Sequence, residues 1–226
     1  MAISLLSKSI TGVLGLGTAT VGAVYFGRDL IGNKAKISIE ELIDTSNPDK
    51  RFISASSDTY WREAWKAYIE DNKSNEKDVW NVAGWTSGTT VTNNENAPSE
   101  FIQACDNKRS QKVLDKNDSL YSQVVKYCTR DTVVRDLINE TEGRSLLVKN
   151  GDFATDSHWR AAWKLYRDDN PDGSDKWNIS NYTSIKSQEN AQEAFAKMCE
   201  EKSQVKEHDL TKSTYLDVLK YCTKVG

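Results

Sequence analysis

Along most of this chain, large apolar side chains return every three or four positions, the period of a helix with one buried face. Trp61, Trp65 and Tyr68 stand at i, i+4 and i+7, and the pattern returns at Trp159, Trp163 and Tyr166. Ala97, Phe101 and Cys105 share the face of a further helix, as do Ala191, Phe195 and Cys199. A last helix carries Tyr121, Val124, Val125 and Cys128, matched by Tyr215, Val218, Leu219 and Cys222. The series opens at Ser38, whose hydroxyl can cap the run Ile39 to Ile43 while Glu41 reaches back. Its counterpart is expected from about Thr132 to Ile138. Asp156 or Ser157 can cap the second tryptophan helix. Asn190 followed by Glu193 signals the start of the helix bearing Cys199, and Pro98 is tolerable in the first turn of the helix bearing Cys105. The Thr- and Val-rich stretch from Val82 to Thr92 leaves room for a short hairpin.

These matches describe an internal repeat, which organises the rest of the reading. Trp80-Asn81-Val82, followed by Trp85-Thr86-Ser87, returns as Trp177-Asn178-Ile179, followed by Tyr182-Thr183-Ser184. Tyr127-Cys128-Thr129 returns as Tyr221-Cys222-Thr223. The predicted architecture is mainly α: a hydrophobic, transmembrane-type helix in segment 1–37, then two tandem copies, 38–130 and 131–226, of a cysteine-paired unit of about four helices. Trp61, Trp65, Tyr68, Trp80, Trp159, Trp163, Tyr166 and Trp177 are assigned to the cores, because exposed together they would make an apolar patch that soluble monomers avoid.

From Ile10 to Phe26 the chain carries no charge, and Lys8 and Arg28 bound the run. As a helix it would cover roughly 25 Å, slightly less than a ~30 Å hydrocarbon core. Gly15, Ala19, Ala23 and Gly27 form a stripe of small residues on it. An uncleaved membrane anchor through residues 10–26 is the preferred reading. A secretory signal cleaved near Val21-Gly22-Ala23 and a buried soluble helix are the alternatives. Arg28, Lys34 and Lys36 after the run would by themselves keep the body cytoplasmic.

The cysteines weigh against that orientation. Each copy holds one pair, Cys105 with Cys128 and Cys199 with Cys222, on helices joined by a short connection. Antiparallel packing of those helices would bring each pair together as a disulfide, which persists in oxidising compartments. The other possibility is buried reduced thiols acting as small apolar residues. No CxxC occurs and neither histidine has ligand spacing to a cysteine pair, so zinc is not expected.

Composition narrows the function classes. A net charge of -3 with pI about 5.6 gives no basic footprint for nucleic acid. His158 and His208 fall outside the repeated pattern, and no phosphate loop, zinc-protease helix or nucleophile elbow is present, so the chain is read as a non-enzyme without cofactor. Asp168-x-Asn170-x-Asp172-Gly173 begins like a calcium loop, but the loop's twelfth position is Ile179, where a bidentate Glu is required. Asn72-Lys73-Ser74 and Asn181-Tyr182-Thr183 match glycosylation triplets that a chain this rich in Asn, Ser and Thr produces incidentally.

The small-residue apolar N-terminus, the Trp-x3-Trp-x2-Tyr helix and the run from Tyr127-Cys128-Thr129 to Leu137-Ile138 together resemble the paralogous families of short membrane-associated proteins of haemotropic mycoplasmas. The resemblance implies a surface-displayed, antigenic protein and brings no catalytic residues. The expected function is a single-pass membrane protein with its repeats outside the cell, binding a protein partner or presenting antigenic surface. The alternative is a cytoplasm-facing scaffold with reduced cysteines.

Overall fold

In a computed structural model that describes residues 35–54, 57–91 and 95–225, Ser38 Oγ accepts a hydrogen bond from the Glu41 N–H at 3.2 Å and so opens α1 (Ile39–Ser46). The predicted anchor, 10–26, lies outside the described residues. Among those described, no helix is long and apolar enough to cross a membrane.

The first copy runs β1 (Ile37–Ser38), α1, β2 (Lys50–Phe52), α2 (Asp58–Asn72), α3 (Ser99–Arg109), β3 (Lys112–Val113), α4 (Ser119–Cys128) and β4 (Thr129–Asp131). The second runs α5 (Val134–Asn139), β5 (Arg144–Leu146), a 3-10 turn (Phe153–Thr155), α6 (Ser157–Asp169), α7 (Tyr182–Ile185), α8 (Glu193–Ser203), α9 (Ser213–Tyr221) and β6 (Thr223–Val225). Both copies lie in one compact unit, Lys36–Gly226.

Short antiparallel pairs tie the helices together: β1 with β3, β2 with β4 and β5 with β6. The β1–β3 pairing is echoed by a single bridge between Val133 and Lys206. Strands of two or three residues are too short to show an alternating pattern, so the helical periodicity gave no sign of them. The hairpin considered between Val82 and Thr92 does not form in the described part of that stretch. Gly84 and Gly88 interrupt it with φ of 84° and 78°, which folds the chain into successive turns.

Helix starts follow the expected caps with three adjustments. Asp156 caps α6 by accepting from the N–H groups of His158 and Trp159 at 2.9 and 3.1 Å. α8 begins at Glu193 rather than near Asn190, because the Ala191 N–H donates to the Ala154 carbonyl at 3.0 Å and holds the approach extended. Pro98 stands just before α3, where its carbonyl accepts from Phe101 at 3.1 Å. α5 starts at Val134 instead of Thr132, whose N–H is taken by the Asp49 carbonyl at 2.8 Å.

Each copy has its own core, one within 39–128 and one within 134–222. Phe101 is the centre of the first, with Trp65, Tyr68, Trp80 and Trp61 rings at 5.0, 5.1, 6.0 and 6.1 Å. Phe195 repeats the arrangement, with Trp163, Tyr166, Trp159 and Trp177 at 5.2, 5.3, 6.2 and 6.2 Å. Such ring pairs add about 0.5–1.5 kcal/mol each beyond the area they bury. Of the eight aromatics assigned to the cores only Trp80 is half-buried; the others are buried.

The helix pairs α3–α4 and α8–α9 bring the cysteines into two disulfides, Cys105–Cys128 and Cys199–Cys222, each with Cα atoms 5.5 Å apart. That spacing sits inside the range a bridge requires, and pairing is local to each copy. Cys105→Ser is expected to lower the unfolding free energy by about 3 kcal/mol under oxidising conditions and to change little in excess reductant. Urea unfolding in both conditions checks this, and an equal loss in both would reduce the cysteines to packing residues.

Candidate functional site

Each copy contains a carboxylate taken out of water: Asp78 is 4% exposed and Asp175 8%. Burial on this scale demands donors around the oxygens. The Val82 N–H reaches both oxygens of Asp78 at 3.2 and 2.9 Å, and the Ile179 N–H both of Asp175 at 3.2 and 3.0 Å. Tyr166 also donates to Asp175 through its hydroxyl. The same hydroxyl accepts the Trp177 N–H at 3.0 Å, as Tyr68 accepts the Trp80 N–H at 3.1 Å. A left-handed Asn completes each turn, with φ of 52° at Asn81 and 55° at Asn178. The repeated Trp-Asn-Val/Ile letters thus have separate tasks: a ring for the core, a residue that tolerates positive φ, and an N–H for the buried aspartate.

Asn72 and Asn170 end the tryptophan helices in the same manner. Their amide nitrogens donate to the Tyr68 and Tyr166 carbonyls at 2.8 and 2.7 Å, and their oxygens accept from Val79 and Lys176 at 3.0 and 2.9 Å. Both ends of the Asn170 amide are thus bonded to backbone. Among the described residues no group of three or more His, Cys, Asp or Glu side chains gathers around a cation position. A second tie joins α2 to α4 and α6 to α9, where Tyr127 donates to Asp71 at 2.5 Å and Tyr221 to Asp169 at 2.6 Å. Burial and the Asp169 carboxylate push the Tyr221 phenol up to about 12, so it is a lasting donor at neutral pH. Tyr68 and Tyr166 are likewise raised, burial first and the neighbouring aspartate next. His158 and His208 are both exposed, the first on α6 and the second in the loop before α9.

The two copies meet through ion pairs. Asp131 takes Lys50 at 2.6 Å and Lys206 on its other oxygen. Arg51 grips Glu140 with two bonds of 2.8 and 2.9 Å, and Arg130 grips Asp136 with bonds of 2.6 and 2.8 Å. A hollow of about 540 Å³ opens beside this junction, with Tyr60, Ala64, Ala67 and Val125 as its apolar part. A second, about 490 Å³, lies against Phe153 and Trp159, and a third, about 430 Å³, lies against Trp65 and Trp85.

The cysteines and core aromatics singled out from the sequence come together in the interiors, two sets of one pattern, and of these Trp65 and Trp159 also border the hollows. Asp78, Asp175, Asn72 and Asn170 were not recognised as structural residues. Their signal was present as an Asp two places before Trp80 and Trp177, and an Asn four places after Tyr68 and Tyr166. Comparison with protein-family models, curated proteins and solved structures finds no match for this chain.

The junction has an acid limit. Bonds from Lys206 and Lys50 hold the Asp131 carboxyl below its ordinary value of 3.8. At Asp136 burial pushes upward, but Arg130 and the Val133 N–H outweigh it and lower the value. Groups depressed on folding stabilise the fold above their unfolded value, and that stability is lost as pH falls through the folded ones. The thermal midpoint is expected to fall as the pH drops from about 5 towards 2, with a smaller fall in Asp136→Asn. Equal falls in both proteins would show that the Arg130–Asp136 pair does not set the acid limit.

Proposed function

We propose that this is a single-pass membrane protein of the cell surface, whose two disulfide-bonded helical copies bind a partner or present antigenic surface without catalytic activity. The observation that carries this reading is the pair of local disulfides, each buried in the core of its own copy. Such bonds form and last where the environment is oxidising. The uncharged run Ile10 to Phe26 supplies a route to the membrane. Two copies of one fold offer two related surfaces, which can raise avidity when both engage one target. The resemblance to surface families of haemotropic mycoplasmas belongs to the same reading.

A cytoplasm-facing scaffold is the second reading, favoured by Arg28, Lys34 and Lys36 directly after the apolar run. Protease added to intact cells separates the two. Loss of the region after residue 38 is the expected result. Full protection of that region until the cells are lysed would support the scaffold instead.

A further inference from the structure

The third hollow gains meaning from what fills its counterpart. In the second copy the Arg167 guanidinium lies over the Trp163 ring, 5.5 Å from its centroid, and donates to the Lys186 carbonyl at 2.8 Å. Tyr182 stands edge-on to the same Trp163 ring at 6.0 Å. By the repeat, Trp163, Arg167, Tyr182 and Lys186 correspond to Trp65, Ile69, Trp85 and Thr89. All four of those first-copy residues line the hollow of about 430 Å³. Ile69 ends three bonds short of an extended arginine, is fully buried and carries no charge. The positions that surround the guanidinium in one copy thus border an open hollow in the other.

The lining also has the charge that a cation requires. Glu95 and Glu100 stand at the hollow and are exposed; the described lining itself holds no lysine or arginine, and Arg62 at its rim is engaged by Asn96 at 2.7 Å. An indole surface with nearby carboxylates attracts guanidinium and ammonium groups through the ring quadrupole and through charge.

We infer that the hollow beside Trp65 and Trp85 binds a guanidinium group supplied from outside the chain, in the place that Arg167 fills in the second copy. The source is either an arginine side chain of a partner protein or a small guanidinium compound. The inference concerns the first copy alone and does not depend on which side of a membrane it faces.

The test uses the full chain in sugar-headed detergent micelles, with tryptophan indoles labelled for nuclear magnetic resonance. N-acetyl-L-arginine amide should shift the Trp85 and Trp65 signals saturably and leave those of Trp159 and Trp163 in place. The uncharged citrulline analogue should bind roughly tenfold more weakly, as should arginine amide to the Glu95→Gln, Glu100→Gln double variant. Ile69→Arg, which rebuilds the second copy's arrangement, should abolish binding. A Gly-Arg-Gly peptide that binds as well as the free amide points to an arginine on a protein, and binding of the free amide alone points to a small compound. The inference is overturned if Trp85 shows no saturable shift, or if citrulline binds as well as arginine. Unchanged binding in a folded Ile69→Arg protein would overturn it too. Should Ile69→Arg fail to fold, the double glutamine variant decides.

Discussion

A carboxylate can leave water only where donors replace the water it loses, and Asp78 and Asp175 impose that condition once in each copy. The donors come from the loop that follows, from Val82 and Ile179, and in the second copy also from Tyr166. Satisfying the aspartate therefore sets the path of the chain after the tryptophan helix. That path carries Trp80 and Trp177 onto Phe101 and Phe195, at 6.0 and 6.2 Å. The helices bearing those phenylalanines are in turn bridged to the last helix of each copy by a disulfide. A short polar turn thus determines where the largest apolar groups of the core meet.

The copies share most of their interior contacts and differ at a few positions inside and out. Interior pairs such as Tyr127 with Asp71 and Tyr221 with Asp169 are the same chemistry in the same place. On the surface between the tryptophan helix and the last helix, Ala67 and Ser122 become Leu165 and Leu216, which are 38% and 44% exposed. Ile69 becomes Arg167, whose guanidinium lies over Trp163, and Trp85 becomes Tyr182.

Much of the architecture was legible because burial writes itself as periodicity. Trp61, Trp65 and Tyr68 could share a face only on a helix, and the equal spacing of the cysteine pairs made local bonds the natural pairing. The short strands were illegible, since Lys50 to Phe52 has no alternation and its pairing with Thr129 to Asp131 spans most of a copy. The start of α8 was misplaced because the Ala191 N–H answers to Ala154, a contact distant in sequence. Asp78 and Asp175 were repeated letters, but a charged residue beside a tryptophan reads as surface until its donors are seen. The hollow beside Trp85 was invisible, because it depends on the reach of one side chain that the first copy lacks.

Residue-resolved amide hydrogen exchange on the full chain tests the role of the buried aspartates most directly. Val82 and Ile179 lie outside helices and strands, yet their N–H groups are bonded to buried carboxylates. Both should exchange as slowly as Val124 and Val218 in the core helices, through opening of the whole fold. Exchange of Val82 and Ile179 at the rates of exposed loops, with the helices still protected, would contradict it.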